Sequence, residues 1–185
     1  MTQQRQPLLI LDLDETLVHA TEPSSQQDYD FLACEYFVYK RPYVREFLDR
    51  CLQYFELAVW TSSGKDYARD VVQAIFQNIP LSFVWSRERC TLSRNIDGDR
   101  YVWIKDLKKV KRKGFALESV IIVDDSPEKL QRNYGNLIRI RPFEGDQNDR
   151  ELQYLAQYLP TLTTVENVRQ IEKRHWRSTI LAQGR

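Results

Sequence analysis

The sequence predicts an α/β fold, a central parallel sheet flanked by helices. Three observations carry this. Short apolar runs alternate along the chain with longer segments whose apolar residues recur at helical spacing. Three of the runs, Leu8 to Leu11, Glu56 to Trp60 and Val120 to Val123, are apolar with almost no polar alternation, as strands covered on both faces must be. Each of the three is followed at once by a polar cluster: Asp12-x-Asp14, Thr61-Ser62-Ser63 and Asp124-Asp125. At 185 residues the chain is predicted as one domain, 1–185. Its core runs from about residue 8 to about residue 159, with a helical extension over about 160–185.

The elements follow in order. Leu8 to Leu11 opens the sheet. "TEPSSQQDYD", Thr21 to Asp30, is a polar loop, and "FLACEYFVYKRP" is predicted as one strand closed by Pro42. Val44, Phe47, Leu48, Cys51 and Leu52 mark the apolar face of a first helix. The strand of Glu56 to Ser63 ends in hydroxyls. Tyr67, Ala68, Val71, Val72 and Ile75 then share one face of a second helix. Phe83 to Ile104 is predicted as a β-rich patch with a hairpin turn at Asp97-Gly98, a small β insertion and too short for a cap domain. Pro127 opens a short helix after Asp125. "NLIRIRP" is a further strand, and "DRELQYLAQYL" and "VENVRQIEKRHW" are predicted closing helices.

Composition excludes several classes. A hydrophobic content of 42% with 29% charged residues describes a folded chain rather than a disordered or fibrous one. A net charge of +1 gives no global attraction to nucleic acid or membrane. No apolar run approaches the ~18 residues that span a bilayer, and "MTQQRQP" has no signal-peptide character, so no membrane role is expected. Cys34, Cys51 and Cys90 are widely spaced and odd in number, which predicts reduced thiols and a cytoplasmic location, or a nuclear one in a eukaryote. With only His19, a loop histidine, and His175, a histidine-rich zinc site is unavailable.

In parallel α/β sheets the functional crevice lies beyond the carboxyl ends of the strands. The three polar clusters therefore converge on one edge, together with Thr16 and Lys105. Four carboxylates around one lysine call for a hard divalent cation such as Mg²⁺, which prefers oxygen ligands. In such a site Asp12 attacks phosphorus and forms an aspartyl-phosphate. Asp14 protonates the leaving alcohol and later activates water. Lys105 and the Thr61 and Ser62 hydroxyls hold the transferring oxygens.

"DLDET", "WTSS", the lysine of "IKDL" and "VDDSP", in this order, resemble the four motifs of the haloacid dehalogenase superfamily, a Rossmann-like fold. "LDLDETLVHA", "VWTSSGKDYA", "SRERC", "YVWIKDL" and "DDSPEKL" resemble more closely the FCP/SCP-type (NLI-interacting-factor-like) protein phosphatases, from about Leu8 to about Leu159. The resemblance implies Asp12 as nucleophile and Asp14 as acid/base. It implies Mg²⁺ on the Asp12 carboxylate, the Asp14 backbone carbonyl and Asp125, with Thr61 and Lys105 on phosphate and Thr16 and Asp124 in support. Tyr67 and Arg87 match positions that line the substrate groove. Asp125 stands where small members carry Asn, and the loop "HATEPSSQQDYD" lacks their aromatic character.

Bland readings stand beside these. Tyr67 is also a helix-face aromatic, and Arg87 a surface ion-pair partner. The basic run from Lys105 to Lys113 is first a solvated helix face and only second a docking patch for nucleic acid or an acidic phosphopeptide. Val168, Ile171 and Trp176 fit a tail helix folded back on the sheet better than a partner site. The expected function is a Mg²⁺-dependent phosphomonoesterase acting on phosphoserine or phosphothreonine in a protein. A phosphatase of nucleic-acid ends or small metabolites, or a non-catalytic phosphoprotein-binding module, is the alternative.

Overall fold

A computed structural model describes residues 6–23, 28–94, 97–98 and 100–183. Leu8–Leu11 (β1) is wholly buried and lies at the centre of a five-stranded sheet. On one side it pairs in parallel with Glu56–Trp60 (β5), and beyond that lies Leu81–Trp85 (β6). On the other side it pairs in parallel with Val120–Asp124 (β9), and beyond that lies Leu137–Arg139 (β10). The chain fills the β5 side first and then crosses to the β9 side, so strand order reverses at β1, where open α/β sheets form their crevice. Leu11 is level with both Val59 and Val123, which brings the three polar clusters to one height on one rim.

Strand residues alternate faces, and two cores result. Leu9, Leu11, Leu57, Val59, Ile121 and Val123 face one side. There they pack against Val44–Leu52 (α1), Lys65–Ile75 (α2), Glu151–Tyr158 (α4) and Trp176–Gln183 (α5). Leu8, Ile10, Ala58, Trp60, Val120 and Ile122 face the other, against Phe83, Trp85, Phe115 and Val110 of Lys108–Lys111 (α3). Each central strand is therefore covered twice, which is why its sequence shows no polar alternation. Trp60 and Trp85 are core residues, whereas Trp103 is partly exposed.

Several expectations need correction. "FLACEYFVYK" is two strands, Phe31–Ala33 (β3) and Tyr36–Lys40 (β4), which with Val18–Thr21 (β2) form an antiparallel sheet of order β2-β4-β3. The chain reverses at Cys34, which takes a left-handed backbone (φ 51°) and donates its N–H to Asp70 of α2 at 3.0 Å. His19 is on β2 rather than in a loop, its Nδ1 3.0 Å from Glu15. Phe83 belongs to the main sheet through β6. The insertion proper is the hairpin Thr91–Arg94 (β7) with Tyr101–Ile104 (β8). Its Asp97-Gly98 turn has Gly98 at φ 75°, and residues 95, 96 and 99 lie outside the described residues, as do 24–27 of the polar loop.

Pro127–Leu130 is a single 3₁₀ turn. The expected helix over "VENVRQIEKRHW" is absent; only Val168–Gln170 forms a 3₁₀ turn, and α5 begins at Trp176. The cause is Lys173, whose buried ammonium donates to the carbonyls of Val168 and Ile171 and so holds them in a non-helical course. The tail still folds back: Trp176 packs on Tyr158 and donates Nε1–H to the Arg139 carbonyl at 2.9 Å. All three cysteines are free thiols. No helix among the described residues is long and apolar enough to cross a membrane.

Candidate active site

The loop after β1 is wound tightly. The Leu13 carbonyl accepts the N–H groups of Thr16, Leu17 and Val18 at 3.2, 2.8 and 3.1 Å, and Glu15 takes φ 58°. A non-glycine residue held there costs on the order of 1–3 kcal/mol unless its surroundings fix it. Arg41 supplies much of that fixing. It is 1% exposed, donates to the Thr16 carbonyl at 3.0 Å and the Arg141 carbonyl at 2.9 Å, and grips both oxygens of Asp149 at 3.0 and 2.8 Å. Sequence reading singled out neither Arg41 nor its partner. Thr16 is buried beside this clamp, and its hydroxyl has no hydrogen-bond partner.

So held, the two aspartates of the loop meet different neighbours. Asp12 is fully buried. Its Oδ1 accepts the Leu13 N–H at 2.8 Å and sits 3.0 Å from Lys105 Nζ, while Oδ2 accepts from Lys129 Nζ at 3.0 Å. Burial alone would raise its pKa, but the two ammonium charges outweigh that and hold the carboxyl down at about 2. Asp14 turns to the β5 side. Its Oδ1 accepts the Tyr67 hydroxyl at 2.6 Å, and its Oδ2 accepts Ser63 Oγ at 2.6 Å and Thr61 Oγ1 at 3.3 Å. Burial and then the Asp14 charge push the Tyr67 hydroxyl pKa well up, so it stays a donor.

At the end of β9, Asp124 accepts Lys105 Nζ at 2.6 Å on Oδ2 and the Ser126 N–H at 2.9 Å on Oδ1. Burial, and next the Asp12 charge, raise its pKa to about 7. Lys105 is itself 0% exposed, and its backbone N–H donates to the Lys129 carbonyl at 2.8 Å. Asp125 accepts Ser126 Oγ at 2.8 Å through Oδ2, whereas its buried Oδ1 has no hydrogen-bond partner. Ligand oxygens of Asp12, Asp124 and Asp125 lie within 4.8 Å of one another.

Asp12, Thr61, Lys105, Asp124 and Asp125 thus converge on one rim, with Asp14 and Tyr67 on its β5 side, whereas the contacts of Thr16 run to Leu13 and Arg41. At Ser62 the backbone carbonyl is engaged, accepting Arg87 Nε at 2.6 Å; the hydroxyl that reaches Asp14 is that of Ser63. The chain bends here rather than running extended: the Ser63 N–H donates to Thr61 Oγ1 at 3.0 Å, and both hydroxyls reach Asp14. Arg87 also lies over the Trp103 ring at 6.0 Å. Lys129 went unread, although a lysine four residues after Asp125, in a turn opened by Pro127, points back at that carboxylate. Beside Asp14 opens a cavity of about 440 Å³ lined by Tyr36, Ser63, Lys65, Asp66, Tyr67 and Arg87 among others.

The residues fit a divalent cation. Three carboxylates share two ammonium groups, and the buried Asp125 Oδ1 accepts no hydrogen bond and meets the Lys129 ammonium only at 3.9 Å, an oxygen set suited to a hard cation.

Comparison with known proteins follows the same lines. The family model of NLI interacting factor-like phosphatases matches residues 7–169. CTD small phosphatase-like protein 2 of Dictyostelium discoideum is 37% identical over 168 residues, covering 87% of this chain and 28% of that protein. Nuclear envelope morphology protein 1 of Saccharomyces cerevisiae is 32% identical over 193 residues, covering 92% and 42% respectively. The chain spans less than half the length of either relative. The structure of Fcp1, an essential RNA polymerase II CTD phosphatase, superposes with a TM-score of 0.59 at 20% identity over 97% of this chain and 62% of that one, a likeness of fold.

Proposed function

The chain belongs to the NLI interacting factor-like phosphatase family, and from that premise we propose that it is a Mg²⁺-dependent phosphomonoesterase acting on phosphoserine or phosphothreonine in a protein. One observation carries the reading: two aspartates of a single loop are held in opposite circumstances. Asp12 is kept anionic by two lysines at 3.0 Å, and Asp14 is steered by three hydroxyls toward the open cavity. The first arrangement suits a nucleophile and the second a proton carrier.

In this scheme an Asp12 carboxylate oxygen forms a bond to phosphorus as the bond from phosphorus to the seryl or threonyl oxygen breaks. Asp14 delivers the proton that the leaving oxygen takes up. Asp14 then removes a proton from water, whose oxygen displaces Asp12 from phosphorus and releases inorganic phosphate. Lys105 and Thr61 hold phosphoryl oxygens, and Asp124 keeps Lys105 in place. The Asp12 and Asp125 carboxylates and the Asp14 carbonyl would hold Mg²⁺, with Asp124 alongside. When bound, the ion offsets the repulsion between the carboxylate and the phosphate dianion. Enzymes must supply up to ~10²¹-fold for such a reaction, so charge compensation of this kind is indispensable.

The cavity supports a macromolecular substrate. It is open, and Tyr36, Tyr67, Lys65 and Arg87 offer aromatic and cationic contact to a chain passing Asp14. The name of one relative, CTD small phosphatase-like protein 2, points the same way.

Purified protein with Mg²⁺ should release phosphate from p-nitrophenyl phosphate and from phosphoserine and phosphothreonine peptides, and excess EDTA should abolish the release. Faster turnover of 5′-phosphorylated oligonucleotides or sugar phosphates would move the substrate class. Intact substrates throughout would leave only a binding module.

A further inference from the structure

We propose that the Lys129 ammonium is the resident occupant of the divalent-cation position, and that metal enters only as Lys129 swings out, which makes this residue the determinant of metal affinity. The inference rests on the Mg²⁺ reading above and goes beyond it to a residue outside the phosphate and metal sets already assigned.

The geometry is specific. Lys129 Nζ lies 3.0 Å from Asp12 Oδ2, 3.7 Å from Asp124 Oδ1 and 3.9 Å from Asp125 Oδ1. These are the three carboxylates whose ligand oxygens lie within 4.8 Å of one another. Among the described residues no other cation forms ion pairs with all three; Lys105 pairs with Asp12 and Asp124. A small hard cation binds such oxygens at about 2.0–2.1 Å. An ion inside this cluster would therefore stand within touching distance of the ammonium, and two positive charges that close in a shielded site repel strongly.

One of the two lysines has to yield, and their surroundings say which. Lys105 is 0% exposed and is held at 2.6 Å by Asp124, with its own backbone N–H tied to Lys129. Lys129 sits on a single 3₁₀ turn, its side chain is 18% exposed, and its one short side-chain contact is with Asp12. Its four-carbon stem can carry the charge to water. The metal-free protein thereby keeps its nucleophile neutralised, and Mg²⁺ must compete with a tethered cation.

Calorimetric titration of the full chain with MgCl₂ tests this, on wild type, Lys129→Gln, Lys129→Met and Lys129→Arg. The expected result is that the Gln and Met variants bind Mg²⁺ at least about tenfold more tightly, while Arg, which keeps the charge, does not. In EDTA the Gln and Met variants should melt below wild type, and saturating Mg²⁺ should close the gap. Unchanged or weaker Mg²⁺ binding in both neutral variants, with wild type binding normally, overturns the role of Lys129 and leaves the phosphatase reading standing. Such a result combined with a lower kcat would make Lys129 a ligand of the phosphoryl oxygens instead. Absence of Mg²⁺ binding in every variant overturns this inference and the metal reading together.

Discussion

Asp12→Asn removes turnover, lowering kcat on the order of 10⁴-fold or more, while the protein stays folded. The loss is that of a covalent nucleophile, for which neither Asp14 nor a bound water can substitute in the same geometry. The fold survives because the substitution is isosteric and both lysines keep Asp124 as a partner. In wild type, Asp12 and Asp124 share Lys105 at 3.0 and 2.6 Å, and the Asp12 charge is the second cause, after burial, of the raised Asp124 pKa of about 7. Without that charge the Asp124 pKa falls, and at neutral pH its carboxylate has Lys105 to itself. Steady-state kinetics with near-ultraviolet circular dichroism checks both halves. Residual activity within tenfold of wild type would assign the nucleophile elsewhere.

Lys105→Met has the largest expected effect on stability. The lysine is fully buried between two buried carboxylates, so its removal leaves Asp12 and Asp124 facing one another with only Lys129 nearby. Breaking a buried pair in this way costs about 3–5 kcal/mol. For a chain of this size that is a fall in Tm of roughly 6–20 °C. Activity goes with it, because the group held against the Asp12 oxygen is lost. The double variant Lys105→Met/Asp124→Asn should regain part of the stability, since it deletes one stranded charge, but none of the activity. Thermal melts of the cycle decide this. A single variant melting within roughly 2 °C of wild type would mean that water, not burial, surrounds Lys105.

The parallel sheet and most of its rim were legible because both depend on local pattern. Unbroken apolar runs mark doubly covered strands, and carboxylates directly after such runs are costly unless something meets them. What escaped depends on contacts distant in sequence. The turn at Cys34-Glu35 carries no Gly, Asn or Pro; it exists because Asp70, 36 residues on, accepts the Cys34 N–H. The tail segment has helical spacing, yet Lys173 captures two of its carbonyls. Arg41 looks like any surface arginine until the fold brings Asp149 to it across 108 residues. Ser63 is turned to Asp14 by a bend in which its N–H meets Thr61 Oγ1, and no periodicity marks that bend. Lys129 differs: its i+4 spacing from Asp125 was readable and was outweighed by the motif residues beside it.

The central claim, that Asp12 carries the phosphoryl group, is tested most directly by trapping it. Asp14→Asn should still let Asp12 attack p-nitrophenyl phosphate, whose leaving group needs little protonation, but should fail to activate the water that releases the intermediate. Acid quenching, borohydride reduction and peptide mapping should then find homoserine at position 12. Reduction at another acidic residue, or at none while p-nitrophenol is released in a stoichiometric burst, would contradict the account.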